Sequence, residues 1–124
     1  MATTYRGTSK YIDVLSRLVH TARHGGLLND QVVAALIGVS SQRNVMAKGI
    51  AHVCREISED EVNAGRPMLS ALVVGKKGIP GKEFFSCAKS LGRFPVDLDA
   101  EEFWDKERNA VYATWRLAQS QNSL

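Results

Sequence analysis

A glycine break inside a helical run constrains this chain most. Val32, Val33, Leu36 and Ile37 give the segment from about Asp30 to Ile37 a broad apolar face, Gly38 stops it, and a third helix begins a few residues later. One left-handed glycine closes a helix and redirects the chain, so this order reads as a helix-turn-helix. Asn29 is the expected N-cap of that second helix, with Asp30 in the first turn where the helix dipole favours negative charge. Ahead of it a first helix is expected from Ser9 to about His24, since Tyr11, Leu15, Leu18 and Ala22 recur at helical spacing until Gly25-Gly26 ends the run. The third helix is expected from about Gln42 to Ile57, capped by Ser40 or Ser41. Its apolar stripe is Met46, Ile50, Val53 and Ile57, and Arg43, Asn44, Ala47, Lys48, Ala51 and Arg55 lie on the other side.

The second half reads as a hairpin followed by a helix. SEDEVNAGRP is expected as an acidic turn or a short helical extension ended by Gly65 and Pro67, and Met68–Val74 (MLSALVV), bounded by Pro67 and Gly75, as a strand. The loop GKKGIPG carries Lys76 and Lys77, and Lys82–Phe85 returns as a second strand, giving a hairpin with a basic tip. Such a tip is what a winged helix lays on the DNA backbone, although an ordinary surface hairpin fits the segment equally. Ser86–Leu91 reads as a short helix ending at Gly92. Asp99, with Glu102 three residues on, caps a last helix over about residues 100–119, in which Phe103, Trp104, Val111, Tyr112 and Trp115 serve as core anchors.

Composition narrows the class. At 124 residues, with 44% hydrophobic and 23% charged, the chain fits one globular domain and excludes a disordered or collagen-like chain. No apolar run approaches the roughly 18 residues of a membrane span, and MATTYRGTSKYID lacks the apolar core of a signal peptide, which points to a cytoplasmic protein without a membrane partner. The net charge of +3 is uneven: residues 1–58 hold seven Lys and Arg against three acids, and residues 66–93 hold six against one. Two basic stretches brought together form a face for a polyanion; kept apart, they are solvated surface.

No catalytic constellation emerges. His52 and Cys54 stand two apart on a helix and point in different directions. Cys54 and Cys87 read as small core residues. His20 and His24 lie one turn apart without an evident third metal ligand. Glu56, Glu59, Asp60 and Glu61 read as a solvated turn rather than a magnesium site. GKKGIPG lacks the spacing of a phosphate-binding loop, and no GxSxG or HExxH is present. No catalytic residue, metal or cofactor is assigned.

Two resemblances follow from these residues. From Leu27 to Gly81, the order LLNDQVVAALIG, the Arg43-Asn44 helix, PMLSALVV and GKKGIPG resembles the winged DNA-binding part of the alkylguanine-DNA alkyltransferases and alkyltransferase-like proteins. Where that family carries Cys, His and Arg before its Val-Val pair, this chain has Ser70, Ala71 and Leu72, so the resemblance implies DNA binding without alkyl acceptance. The blocks GRPMLSALVV, GIPGKEFF and FWDKERNAVYATW are also similar to uncharacterised small bacterial and phage proteins, a likeness that implies a fold family and no activity.

The combined expectation is an α+β chain, mainly α with a small β-hairpin. It forms a single winged helix-turn-helix-like domain: a flexible end over residues 1–8, three helices over 9–58, a wing over 66–85 and an aromatic C-terminal helix over 99–119. As a small bacterial or phage regulator it would bind double-stranded DNA without being an enzyme. Arg43, Asn44 and Lys48 would face the major groove, Arg55 the backbone, and Lys76 and Lys77 the phosphates. The alternative is a protein-interaction module docking on a host protein through the aromatic helix or the acidic turn. A homodimer is compatible with either.

Overall fold

The computed structural model describes residues 5–39 and 42–122. Its elements are α1 (Ser9–Arg23), β1 (Leu28–Asn29), α2 (Asp30–Ile37), α3 (Arg43–Asn63), a 3-10 turn (Leu69–Leu72), β2 (Val73–Val74), α4 (Lys82–Ser90) and α5 (Ala100–Asn122). The chain is mainly helical, with one small parallel sheet.

Side-chain caps and left-handed glycines set the early helix ends. The Thr8 hydroxyl accepts from the Tyr11 N–H at 3.3 Å, and the Asn29 carboxamide accepts from the Gln31 N–H at 2.8 Å. Gly38, at φ +68°, closes α2 in the left-handed conformation that glycine adopts without strain. The expected cap at Ser40 or Ser41 lies outside the described residues. Residues 5–8, expected to be loose, are tied to α3: the Tyr5 and Arg6 N–H groups both donate to the Glu56 carboxylate, at 2.9 and 2.8 Å. Glu56 is 2% exposed, and a carboxylate so placed must be met by donors.

Three expectations are corrected. The acids of the SEDE run are not a solvated turn: of the two readings of SEDEVNAGRP the helical extension is the one found, since α3 continues to Asn63. Asp60 accepts from Arg6 and Tyr11, and buried Glu61 forms a forked pair with Arg66. Met68–Val74 is not one long strand. Leu69–Leu72 coils into the 3-10 turn, and only Val73–Val74 pairs, in parallel, with Leu28–Asn29. The run is buried on all sides, and a continuously apolar stretch lacks the alternation that would specify a strand. Finally, Lys82–Phe85 opens α4 instead of returning as a strand, since Phe84 and Ala88 are buried one helical turn apart. The expected hairpin is therefore absent among the described residues, and Lys76 and Lys77 sit in a tight turn closed by Gly75 N–H to Ile79 O at 3.0 Å.

The core lies where α1, α3 and α5 meet the 3-10 turn. Val14, Leu18, Val53, Ile57, Leu72 and Val111 are fully buried there. Asp99 caps α5 by accepting from the Glu101 N–H at 3.1 Å, and Trp104 Nε1–H donates to Ala71 O at 2.8 Å. Along α3 the buried positions begin at Gly49, and the turns before it are exposed or half-buried.

Candidate nucleic-acid interface and the adjoining cleft

The crossing of α2 and α3 is held close by Gly49. A Cβ there would stand 2.8 Å from Val39 Cγ1 and 3.0 Å from Ile37 Cδ1, so only glycine lets the two helices meet at this distance. Sequence reasoning missed this residue. Its signal is a glycine in mid-helix, where an ordinary position favours alanine by about 1 kcal/mol.

Beyond that crossing the start of α3 stands clear of the core. Arg43, Asn44, Val45, Ala47 and Lys48 are all exposed, and Met46 is half-buried. The Arg43, Asn44 and Lys48 side chains have no hydrogen bond or ion pair among the described residues. Arg55 differs: its guanidinium lies 3.8 Å from Glu59 and 3.3 Å from His52 Nδ1, so it is already engaged. Lys76 and Lys77 are exposed and unpaired among the described residues. A further cation was not foreseen. Lys10, on α1, places its Nζ 3.8 Å from where a Gly38 Cβ would be, against the turn between α2 and α3. Nothing local in the sequence marks it, because the fold alone brings α1 to that turn.

Of the residues expected to meet DNA, Arg55 lines a cleft, and Arg43, Asn44, Lys48, Lys76 and Lys77 do not. The cleft, of about 370 Å³, is lined by Ala47, Ala51 and Arg55 of α3 and by Gly75 and Gly81, which flank the lysine turn. Glu83, Phe84, Ser86, Cys87 and Ser90 of α4 complete much of its lining. Cys54 and Cys87 also line it. Burial pushes the Cys54 thiol up to about 12 and raises that of Cys87, so both stay protonated at neutral pH and neither is an activated nucleophile.

The remaining candidates stay apart. His20 and His24 are exposed at the end of α1, their ring centroids 4.4 Å apart edge-on. Among the described residues no three His, Cys, Asp or Glu side chains converge to hold a metal, and no helix is long and apolar enough to cross a membrane. Comparison with protein-family models, curated proteins and solved structures found nothing that matches this chain.

Proposed function

We propose that the chain binds duplex DNA through α2, its glycine turn and the first two turns of α3, as a small regulator would. The observation that carries this reading is the start of α3, where a guanidinium, a carboxamide and an ammonium stand exposed and unpaired among the described residues. A recognition helix reads base edges with its N-terminal residues, and Arg and Asn are the side chains that pair in two-pronged fashion with guanine and adenine. Lys76 and Lys77, exposed on the turn between β2 and α4, contact phosphate. Lys10 at the turn adds a third phosphate contact, whereas Arg55, held by Glu59, contributes least. Docking on a host protein through the C-terminal helix has less support, because Trp104 and Tyr112 spend their polar atoms inside the fold, on Ala71 O and Gly26 O.

Anisotropy of a labelled duplex, titrated at low and moderate salt, tests this. Wild type binds with an affinity that falls steeply with salt, since each phosphate contact releases counterions. Arg43→Ala/Lys48→Ala weakens binding about tenfold or more, and Lys76→Ala/Lys77→Ala lowers the salt slope by about 2. A folded protein that binds no duplex at low salt ends the proposal.

A further inference from the structure

The cleft between α3 and α4 is built like a small-molecule site. Its volume of about 370 Å³ falls within the range of such sites. Ile50, Val73, Val74 and Phe84 form apolar walls, and buried Cys54 and Ser70 complete the lining beside them. Small residues keep it open: Ala47 and Ala51 on one side, Gly75 and Gly81 on the other, none with a side chain long enough to fill the space.

Its charge is one-sided. Asp30, half-buried at the start of α2, places Oδ2 3.5 Å from where a Gly75 Cβ would be, and Glu83 places Oε1 3.5 Å from the corresponding point at Gly81. Both line the cleft, and neither makes a hydrogen bond or ion pair among the described residues. The lining cation, Arg55, is drawn off by Glu59 and His52. Two carboxylates without a side-chain partner, Asp30 half-buried and Glu83 exposed at the rim, beside an apolar wall favour an occupant that is positively charged at one end and apolar over the rest.

We infer that this cleft binds a small organic cation, an ammonium on a compact apolar body, with the body against Val74 and Phe84 and the ammonium toward Asp30 and Glu83. A neutral molecule of the same shape gains the walls without the charge, and an anion meets repulsion. Asp30, Ala47 and Ile50 of the lining lie on the elements proposed to meet DNA, so the titration is run without duplex, where its outcome does not depend on the DNA reading.

The probe is 2-phenylethylammonium, titrated into the isotope-labelled protein and followed by amide chemical shifts, with 2-phenylethanol and phenylacetate as neutral and anionic matches. A fragment of this size binds with Kd of about millimolar. The expected result is saturable shifts at Ala51, Gly75 and Cys87, about tenfold weaker binding of phenylacetate, and slower alkylation of Cys87 by N-ethylmaleimide when the amine is present. Asp30→Asn/Glu83→Gln erases the preference for the amine and leaves 2-phenylethanol binding as in wild type. Shifts that do not saturate, shifts confined to other surfaces, equal binding of all three probes, or an amine preference that survives the double substitution each overturn the inference.

Discussion

Glu107 carries a carboxyl that is only 5% exposed, and its partners account for that burial. It accepts from Arg93 at 2.9 and 2.8 Å and from the Met68 N–H at 2.9 Å, so one carboxylate ties α5 to the entry of the 3-10 turn and to the loop after α4. Glu107→Ala leaves the buried Met68 N–H without its acceptor and half-buried Arg93 without its partner, and should lower stability by about 1–3 kcal/mol in chemical denaturation; no measurable loss would show that water replaces the carboxylate cheaply. Asp60 gives a pH test. Desolvation pushes its carboxyl up, but hydrogen bonds from Arg6 and Tyr11 and the Arg6 charge outweigh this and hold it below the ordinary carboxylate range. Its contribution is present above the unfolded value of about 3.9 and is lost as pH falls through the lower folded value. Tyr11 runs the other way: desolvation and its bond to Asp60 raise the phenol, so its contribution is present below about 10 and is lost as pH climbs past that. Asp60→Asn should flatten the acid limb of a stability–pH curve and Tyr11→Phe the alkaline limb, and limbs unchanged by both substitutions would refute this account. None of these burials is legible locally. The exposure of Arg43 and Lys48 can be read from their place opposite an apolar stripe, whereas Glu56, Glu61 and Glu107 are buried by donors on other segments, some of them remote in sequence.

Helix α3 shows what packing adds to periodicity. Its apolar stripe is enough to call a helix, and Val53 and Ile57 are buried as that stripe requires, but its approach to α2 depends on Gly49 having no side chain. In an ordinary helix interior Gly→Ala gains about 1 kcal/mol. Here the new methyl would meet Val39 Cγ1 at 2.8 Å, and a β-branched side chain cannot swing aside at little cost. Overpacking of this kind costs about 1–3 kcal/mol, so Gly49→Ala should destabilise by about 1 kcal/mol net in urea titration. A stabilised variant would mean that the two helices separate freely. The same reasoning explains α4. Lys82–Phe85 read alone is as good a strand as a helix, because four residues span a single helical turn. The choice is made by Phe84 and Ala88 facing the core together, and by Phe84 lying over Phe103 with centroids 5.8 Å apart. A short apolar run takes its structure from what covers it. The MLSALVV run obeys the same rule, coiling where α1, α3 and α5 enclose it and extending only where Leu28 offers an edge.

At the scale of the whole molecule, the last helix completes a core begun by the first. β1 and β2 pair in parallel across more than forty residues of chain, and two residues in each strand cannot hold such a closure alone. The closure is held by α5. Phe103 stacks on Phe94 at 4.7 Å, Val111 is fully buried, Trp104 bonds Ala71, and Tyr112 O–H donates to Gly26 O at 2.7 Å beside the loop that leads into β1. The aromatic spacing of this helix was legible in the sequence. That it reaches back to Gly26 was not, because a glycine carbonyl in a turn carries no residue-type signal. Ending the chain at residue 99 would remove all four contacts at once and would strand Arg93 and the Met68 N–H without their acceptor. Buried apolar groups and one partly buried charge pair contribute together more than the roughly 5–15 kcal/mol by which a domain is usually stable. The chain of residues 1–99 should therefore show no cooperative thermal transition in far-UV circular dichroism, whereas the full chain melts once, with the fluorescence of Trp104 and Trp115 changing at the same midpoint as the helical signal. A shortened chain that melts cooperatively near the full-length midpoint would make α5 an appendage, and the core would then have to be redrawn around α1, α3 and the 3-10 turn alone.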